Sequence, residues 1–145
     1  MVDTGSDLII ARGGHTATLL PNGKVLIHGG TPQPFSGGSA ELYDPKTGTW
    51  TGLSRSRFRA FFAFCLSGNR VLFFGDGVVQ TYNPVNDHWR VLGNTLPGTS
   101  ATLLKSGEIL LVDKVLPNTY NPNTTIWTST GFLNEVRDGQ TATVL

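Results

Sequence analysis

Histidine and carboxylate side chains are the first residues of this sequence that could support chemistry. The histidines are His15, His28 and His88. Histidine combined with a carboxylate such as Asp76 or Asp113 is a ligand set that suits zinc and similar divalent ions. The sequence therefore allows a metal site if these side chains converge in the fold.

Arginines are the second group, and they stand just before short apolar stretches of the chain. A guanidinium group binds carboxylate and phosphate through paired hydrogen bonds. Such residues predict anion binding, and the alternative is that they pair within the fold with Asp76, Asp113 or Asp138. The arginines concerned are Arg12, Arg55, Arg57, Arg59 and Arg137.

The common catalytic motifs are absent from the sequence. It contains no phosphate-binding loop, no Gly-x-Ser-x-Gly elbow and no His-Glu-x-x-His helix motif. The single cysteine, Cys65, excludes an intrachain disulfide and a zinc site made of several cysteines of one chain. Because Cys65 lies in the apolar run FFAFCL, we expect it to be buried and inert.

An internal repeat positions these residues. A tyrosine followed by Asp-Pro or Asn-Pro precedes a tryptophan by seven positions three times, and the repeat has a period of roughly 38–46 residues. Upstream of each pair lies an apolar run: VLIHGG at 25–30, VLFFGD at 71–76 and ILLVDK at 109–114. The pairs are Tyr43 and Trp50, Tyr82 and Trp89, and Tyr120 and Trp127.

Each repeat predicts one antiparallel sheet of four short strands. In the first repeat we expect strands at 15–20, 24–28 and 40–43, and a fourth from Trp50. Pro21-Asn22-Gly23 predicts the first hairpin turn, since Asn-Gly readily adopts positive φ angles. The fold class is therefore all-β.

These motifs resemble the kelch repeat, above all the repeats of bacterial kelch and galactose-oxidase-like proteins. The resemblance covers residues 12–145 and implies a β-propeller, with the Tyr–Trp pairs as packing residues between blades. As one kelch-repeat region, 1–145, the chain would hold about three blades. Their expected bounds are 12–53, 57–93 and 97–132, with an outer-strand remnant at 2–11 and an inner-strand remnant at 137–145.

By position, the resemblance also implies a ligand face where inner strands start and second strands end. The long loop 31–39 accompanies it, and binding often resides in such loops. His15 is the metal-ligand candidate, because it opens an inner strand near the propeller axis. The predicted ligand-binding residues are Arg12, His15, Arg57, Arg59, Asp76, Asp113 and Arg137.

Galactose-oxidase-like enzymes carry a copper centre built from tyrosines, histidines and a thioether-linked cysteine. Here the three tyrosines occupy structural positions of the repeat, and Cys65 has no evident tyrosine partner. Copper radical chemistry is therefore not indicated, and the cofactor prediction is none, or a divalent metal such as zinc.

Composition and charge narrow the range of partners. Charged residues make up 14% of the chain and the net charge is +1, which gives no electrostatic signal for nucleic acid or membrane. Neither a signal peptide nor a transmembrane run is visible, so a cytoplasmic location is the default expectation. The expected partners are a second copy of the chain and a small-molecule or protein ligand.

A propeller needs typically four to eight blades, so three blades per chain predict a homodimer with six. The sequence thus predicts a binding scaffold made of two partial propellers. The alternative is a promiscuous metal-dependent hydrolase, acting on esters or phosphoesters at the pore mouth of the assembled propeller.

Overall fold

The described part of the chain is all-β, with three antiparallel sheets of four strands each. The computed structural model describes residues 7–31, 38–135 and 142–144. The three four-stranded sheets confirm the prediction of three propeller-type blades. Several predicted features lie outside the described residues, so the predictions made for them stay predictions. They are Arg137, most of the loop 31–39, half of the outer-strand remnant 2–11 and most of the inner-strand remnant 137–145.

Every sheet runs up and down, with its strands in sequence order. The first sheet contains β1 Gly13–Leu19, β2 Val25–Thr31, β3 Ala40–Asp44 and β4 Thr49–Gly52. The second contains β5 Phe62–Cys65, β6 Val71–Gly75, β7 Val78–Asn83 and β8 His88–Asn94, with a 3₁₀ turn at Ser67–Asn69. The third contains β9 Ser100–Leu103, β10 Ile109–Val112, β11 Asn118–Asn121 and β12 Ile126–Ser129.

Two compact units divide the chain, the first covering Met1–Leu92 and the second Gly93–Leu145. The core of the first unit joins its two sheets, with Leu26 of β2 and Val71, Phe73 and Tyr82 of the second sheet fully buried. In the second unit the alternation along β10 buries Ile109 and Leu111. In β6 every residue is buried, so both faces of this strand are covered.

The spacing of the Tyr–Trp pairs has a direct structural cause. Tyr43 lies opposite Trp50 across β3 and β4, with the two ring centroids 4.8 Å apart. Tyr120 lies opposite Trp127 in the same way, also at 4.8 Å. A tight turn between the paired strands therefore requires a fixed number of residues between the two aromatic rings.

One position in each of these turns adopts a positive φ. It is the fifth residue after the tyrosine: Gly48 at 69°, Asp87 at 50° and Thr125 at 60°. Glycine tolerates this conformation, whereas a β-branched threonine does so only with strain. The three repeats thus share one turn conformation, but the residue at this position tolerates a positive φ to a different degree in each.

Candidate functional site

Arg12 was predicted to bind ligand, and in the structure its side chain is fully buried beside Glu41. The guanidinium forms an ion pair with the Glu41 carboxylate and donates to the carbonyls of Gly29 and Ser39, both at 2.8 Å. Glu41 also accepts the backbone N–H of Ile9 at 2.7 Å. These contacts fasten the segment before β1 to the first sheet.

Arg59 and Asp76 were both predicted to bind ligand, and they lie next to each other. The Asp76 carboxylate accepts the Arg59 backbone N–H at 2.8 Å and approaches its Nε to 3.6 Å. Both side chains are partly exposed, so the pair adds little to stability. This contact matches the alternative in which arginine pairs with aspartate within the fold.

The segment 53–61, here called the first linker, joins β4 to β5. Its exposed and covered positions alternate: Ser56 and Ala60 are buried, whereas Arg55, Arg57 and Arg59 are exposed. The linker bends at Arg57 and Phe58. Its buried side chains face the sheets, and its three arginine side chains are accessible to solvent.

Ser56 fixes the middle of the first linker to the second sheet. Its hydroxyl donates to Gln80 Oε1 on β7 at 2.7 Å and accepts the Phe58 backbone N–H at 3.1 Å. Its own backbone N–H donates to the Gly38 carbonyl at 2.9 Å. Gln80 is only 2% exposed, so this polar contact is shielded from water and holds the linker in place.

Asp87 fixes the start of the first linker. Its carboxylate accepts the Ser54 hydroxyl at 2.8 Å and the Tyr82 hydroxyl at 2.7 Å. Burial alone would raise the pKa of Asp87, but these hydrogen bonds stabilise the charged form and hold the pKa below its ordinary value. Asp87 therefore ties a turn of the second sheet to the linker.

A cavity of about 340 Å³ opens between the first linker and the strands β7 and β8. Its volume lies within the range of small-molecule sites. Arg55 and Arg57 have no ion-pair or hydrogen-bond partner in the described part of the chain, and no acidic side chain lines this space. The lining residues include Arg55, Ser56, Arg57, Phe58, Gln80 and Trp89.

Trp89 forms a wall of this cavity and is itself held by three tilted ring contacts. Its centroid lies 4.5 Å from that of Tyr82, 5.3 Å from that of Phe73 and 4.8 Å from that of His28. Its indole Nε1 donates to the Ser54 carbonyl at 3.0 Å. The wall is therefore rigid before any ligand arrives.

His28, the histidine of β2, packs in the interior of the first unit. The side chain is completely buried, and neither ring nitrogen has a hydrogen-bond partner among the described residues. Burial, with a smaller effect from the positive charge of Arg12, lowers the pKa of His28 to about 4. Near neutral pH the ring is therefore uncharged and acts as an aromatic packing surface.

The predicted metal-ligand residue His15 does not line this cavity. His15 is exposed on β1 opposite Gly29, and Asp113 follows β10 in the second unit. Within residues 7–31, 38–135 and 142–144, no three histidine, cysteine, aspartate or glutamate side chains form a group that could hold a metal ion. The metal role of His15 stays a prediction.

Three residues around the cavity were missed as site residues from the sequence. Ser56 and Gln80 form its polar contact, and Trp89 was interpreted only as a packing residue. Two signals were present: the alternation Ser-Arg-Ser-Arg-Phe-Arg at 54–59, and a glutamine in the otherwise apolar start of β7. Neither signal shows which strand the linker touches.

Comparison with known proteins supports the fold. No family model matches the sequence, and no curated protein matches it. Among solved structures, the chain is similar to a fungal alcohol oxidase of the AA5 family determined in complex with copper, with a TM-score of 0.63 and 16% identity. The match covers 81% of this chain and 30% of the oxidase chain.

That oxidase is a galactose-oxidase-like protein with a kelch-like β-propeller. At 16% identity the likeness shows the propeller-type fold alone and carries no information about chemistry. Separately, none of the described residues forms a helix that is long and apolar enough to cross a membrane.

Proposed function

We propose that this protein is a binding scaffold made of propeller blades, with its ligand face at the loops that precede the inner strands. The observation that carries this proposal is the cavity beside the first linker, which precedes the inner strand β5. The linker is fixed at Ser54 and Ser56, while Arg55 and Arg57 stay available. Function on a rigid scaffold is commonly placed in such loops.

The proposal includes assembly of two copies into a six-bladed propeller. Three sheets per chain fall short of the four to eight blades that usually close a propeller. Each unit also exposes large apolar side chains: Leu19 is 67% and Phe61 65% exposed in the first, and Phe132 is 78% exposed in the second. A second copy would cover such surface and supply the missing blades.

The hydrolase alternative has no observation in its favour on the described residues. It is retained as one outcome of the test, because the sequence contains His15 together with Asp76 and Asp113. In that case a divalent metal such as zinc would be needed, and activity would depend on it.

The test combines native mass spectrometry with a ligand screen. Chelator-dialysed protein at micromolar concentration should have twice the mass of one chain, and fragments from a small-molecule library should raise its melting temperature. A folded monomer would contradict the assembly. Ester or phosphoester hydrolysis that disappears on chelation and returns with zinc would replace the scaffold with the hydrolase.

A further inference from the structure

The two guanidinium groups beside the cavity are unlike the other arginines of the same unit that stand before inner strands. Arg12 is paired with Glu41, and Arg59 with Asp76. Arg55 and Arg57 have no such partner among the described residues of their unit, and both line the cavity. The site therefore carries two positive charges and no lining carboxylate to neutralise them.

The acidic side chain that holds the start of this linker is already occupied. Asp87 accepts two hydrogen bonds from Ser54, through its N–H and its hydroxyl, and one from Tyr82. Since no carboxylate lines the cavity, an anionic ligand would complement Arg55 and Arg57.

Apart from the arginines and the contact between Ser56 and Gln80, the cavity lining is apolar. Phe58, Trp89 and Val91 supply it. Trp89 is held by a tilted contact with Tyr82 and by its hydrogen bond to Ser54, so this wall is formed in the absence of a ligand. A preformed aromatic wall favours a planar aromatic group, because stacking adds to the gain from burying apolar area.

We propose that this cavity binds a small planar aromatic acid, with the carboxylate on Arg55 and Arg57 and the ring against Phe58 and Trp89. This inference rests on the proposed binding function and deepens it by naming the ligand class. Paired guanidinium groups suit a carboxylate through two-pronged hydrogen bonds. A volume of about 340 Å³ accommodates a fused two-ring acid.

Calorimetric titration with 2-naphthoate tests the proposal on the full chain. The Arg55→Gln and Arg57→Gln variants should each bind about fivefold to tenfold more weakly, as expected for loss of one partly exposed charged contact. The double variant should show no measurable binding. Arg90→Gln is the matched control, because Arg90 is equally exposed on β8 but does not line the cavity.

Two further ligands separate the parts of the proposal. The neutral 2-naphthamide should bind the native chain as weakly as 2-naphthoate binds the double variant, because both pairs lack the charge contact. Inorganic phosphate should bind the native chain more weakly than 2-naphthoate does, because phosphate has no ring. Equal binding of 2-naphthoate by the double variant would overturn the arginine contact, and phosphate binding as tight as 2-naphthoate would overturn the aromatic contact.

Failure of the ligand class is distinguishable from failure of the scaffold. If no 2-naphthoate binds but other fragments raise the melting temperature, the inference is wrong and the scaffold stands. If neither binds, both are wrong. Melting curves of each variant without ligand show that a lost titration signal does not come from unfolding.

Discussion

The first linker, 53–61, and the second linker, 95–99, are each held near their start by a hydrogen bond from the tryptophan of the sheet that follows. Trp89 Nε1 donates to the Ser54 carbonyl at 3.0 Å, and Trp127 Nε1 donates to the Asn94 carbonyl at 3.2 Å. The repeat therefore fixes the start of both linkers by the same contact. What differs is the chemistry of the residues that follow that contact.

The first linker makes a polar contact with the sheet and leaves a cavity beside that contact. The second linker makes a close apolar contact instead. Ser56 reaches Gln80 on β7, next to the cavity. In the second, Gly98 lies so close to Leu111 that an added Cβ would meet its Cγ at 2.5 Å. A shared blade framework thus supports either an open cationic site or a closed apolar contact, depending on a few linker residues.

The largest expected difference concerns the two tryptophans themselves. Trp89→Ala should lower the free energy of unfolding by about 3–5 kcal/mol, because a large aromatic group packed against three other rings is removed. Trp127→Ala should cost only about 1–3 kcal/mol, since Trp127 stacks on Tyr120 at a more exposed position. Urea denaturation followed by circular dichroism measures both, and equal losses would remove this distinction between the linkers.

A pH dependence should be specific to the first unit. The pKa of His28 is about 4 in the folded state and ordinarily 6.5, so the unfolded chain binds the proton more tightly. Stability is therefore full above pH 6.5, falls as the pH drops to about 4, and loses about 3 kcal/mol in all. His28→Leu should flatten this part of the profile of unfolding free energy, whereas the exposed His88→Gln should leave it unchanged.

The smallest effect should have opposite signs in the two turns that adopt positive φ at Asp87 and Thr125. Thr125→Gly should stabilise the protein by about 1 kcal/mol, because glycine relieves the strain of an exposed β-branched residue. Asp87→Gly should destabilise it by about 1–2 kcal/mol despite the same relief, since Ser54 and Tyr82 lose their acceptor. Thermal unfolding of both variants decides the question, and a stabilising Asp87→Gly would show that the linker is not held by this carboxylate.

The fold was predictable because its signals are local and repeated. Tyr43 and Trp50 are close in sequence and directly opposite across one turn, so their spacing reports a strand pair. The Pro21-Asn22-Gly23 turn is likewise local, and Gly23 has the expected positive φ of 83°. Three copies of the Tyr–Trp spacing make the four-stranded unit readable from one sequence.

The site was only partly predictable because its contacts join distant residues. The arginines of the first linker could be recognised, but the hydrogen bond between Ser56 and Gln80 spans 24 residues. In the sequence, Arg12 cannot be told apart from the other arginines that precede inner strands. In the fold it pairs with Glu41, which is 29 residues away. The sequence gives the identity of each residue in a repeat. The burial of its side chain and its bonding partners depend on which strands come together in the fold.

The bond between Arg12 and Glu41 has a consequence for the order in which the chain can form its structure during synthesis. Ile9, Ile10 and Arg12 leave the ribosome before β3 does, and all three bind the carboxylate on β3. Until residue 41 has emerged, this segment has no acceptor and the Arg12 charge cannot be buried without a large penalty. The segment from Ile9 to Arg12 can therefore dock on the first sheet only after the third strand has been synthesised.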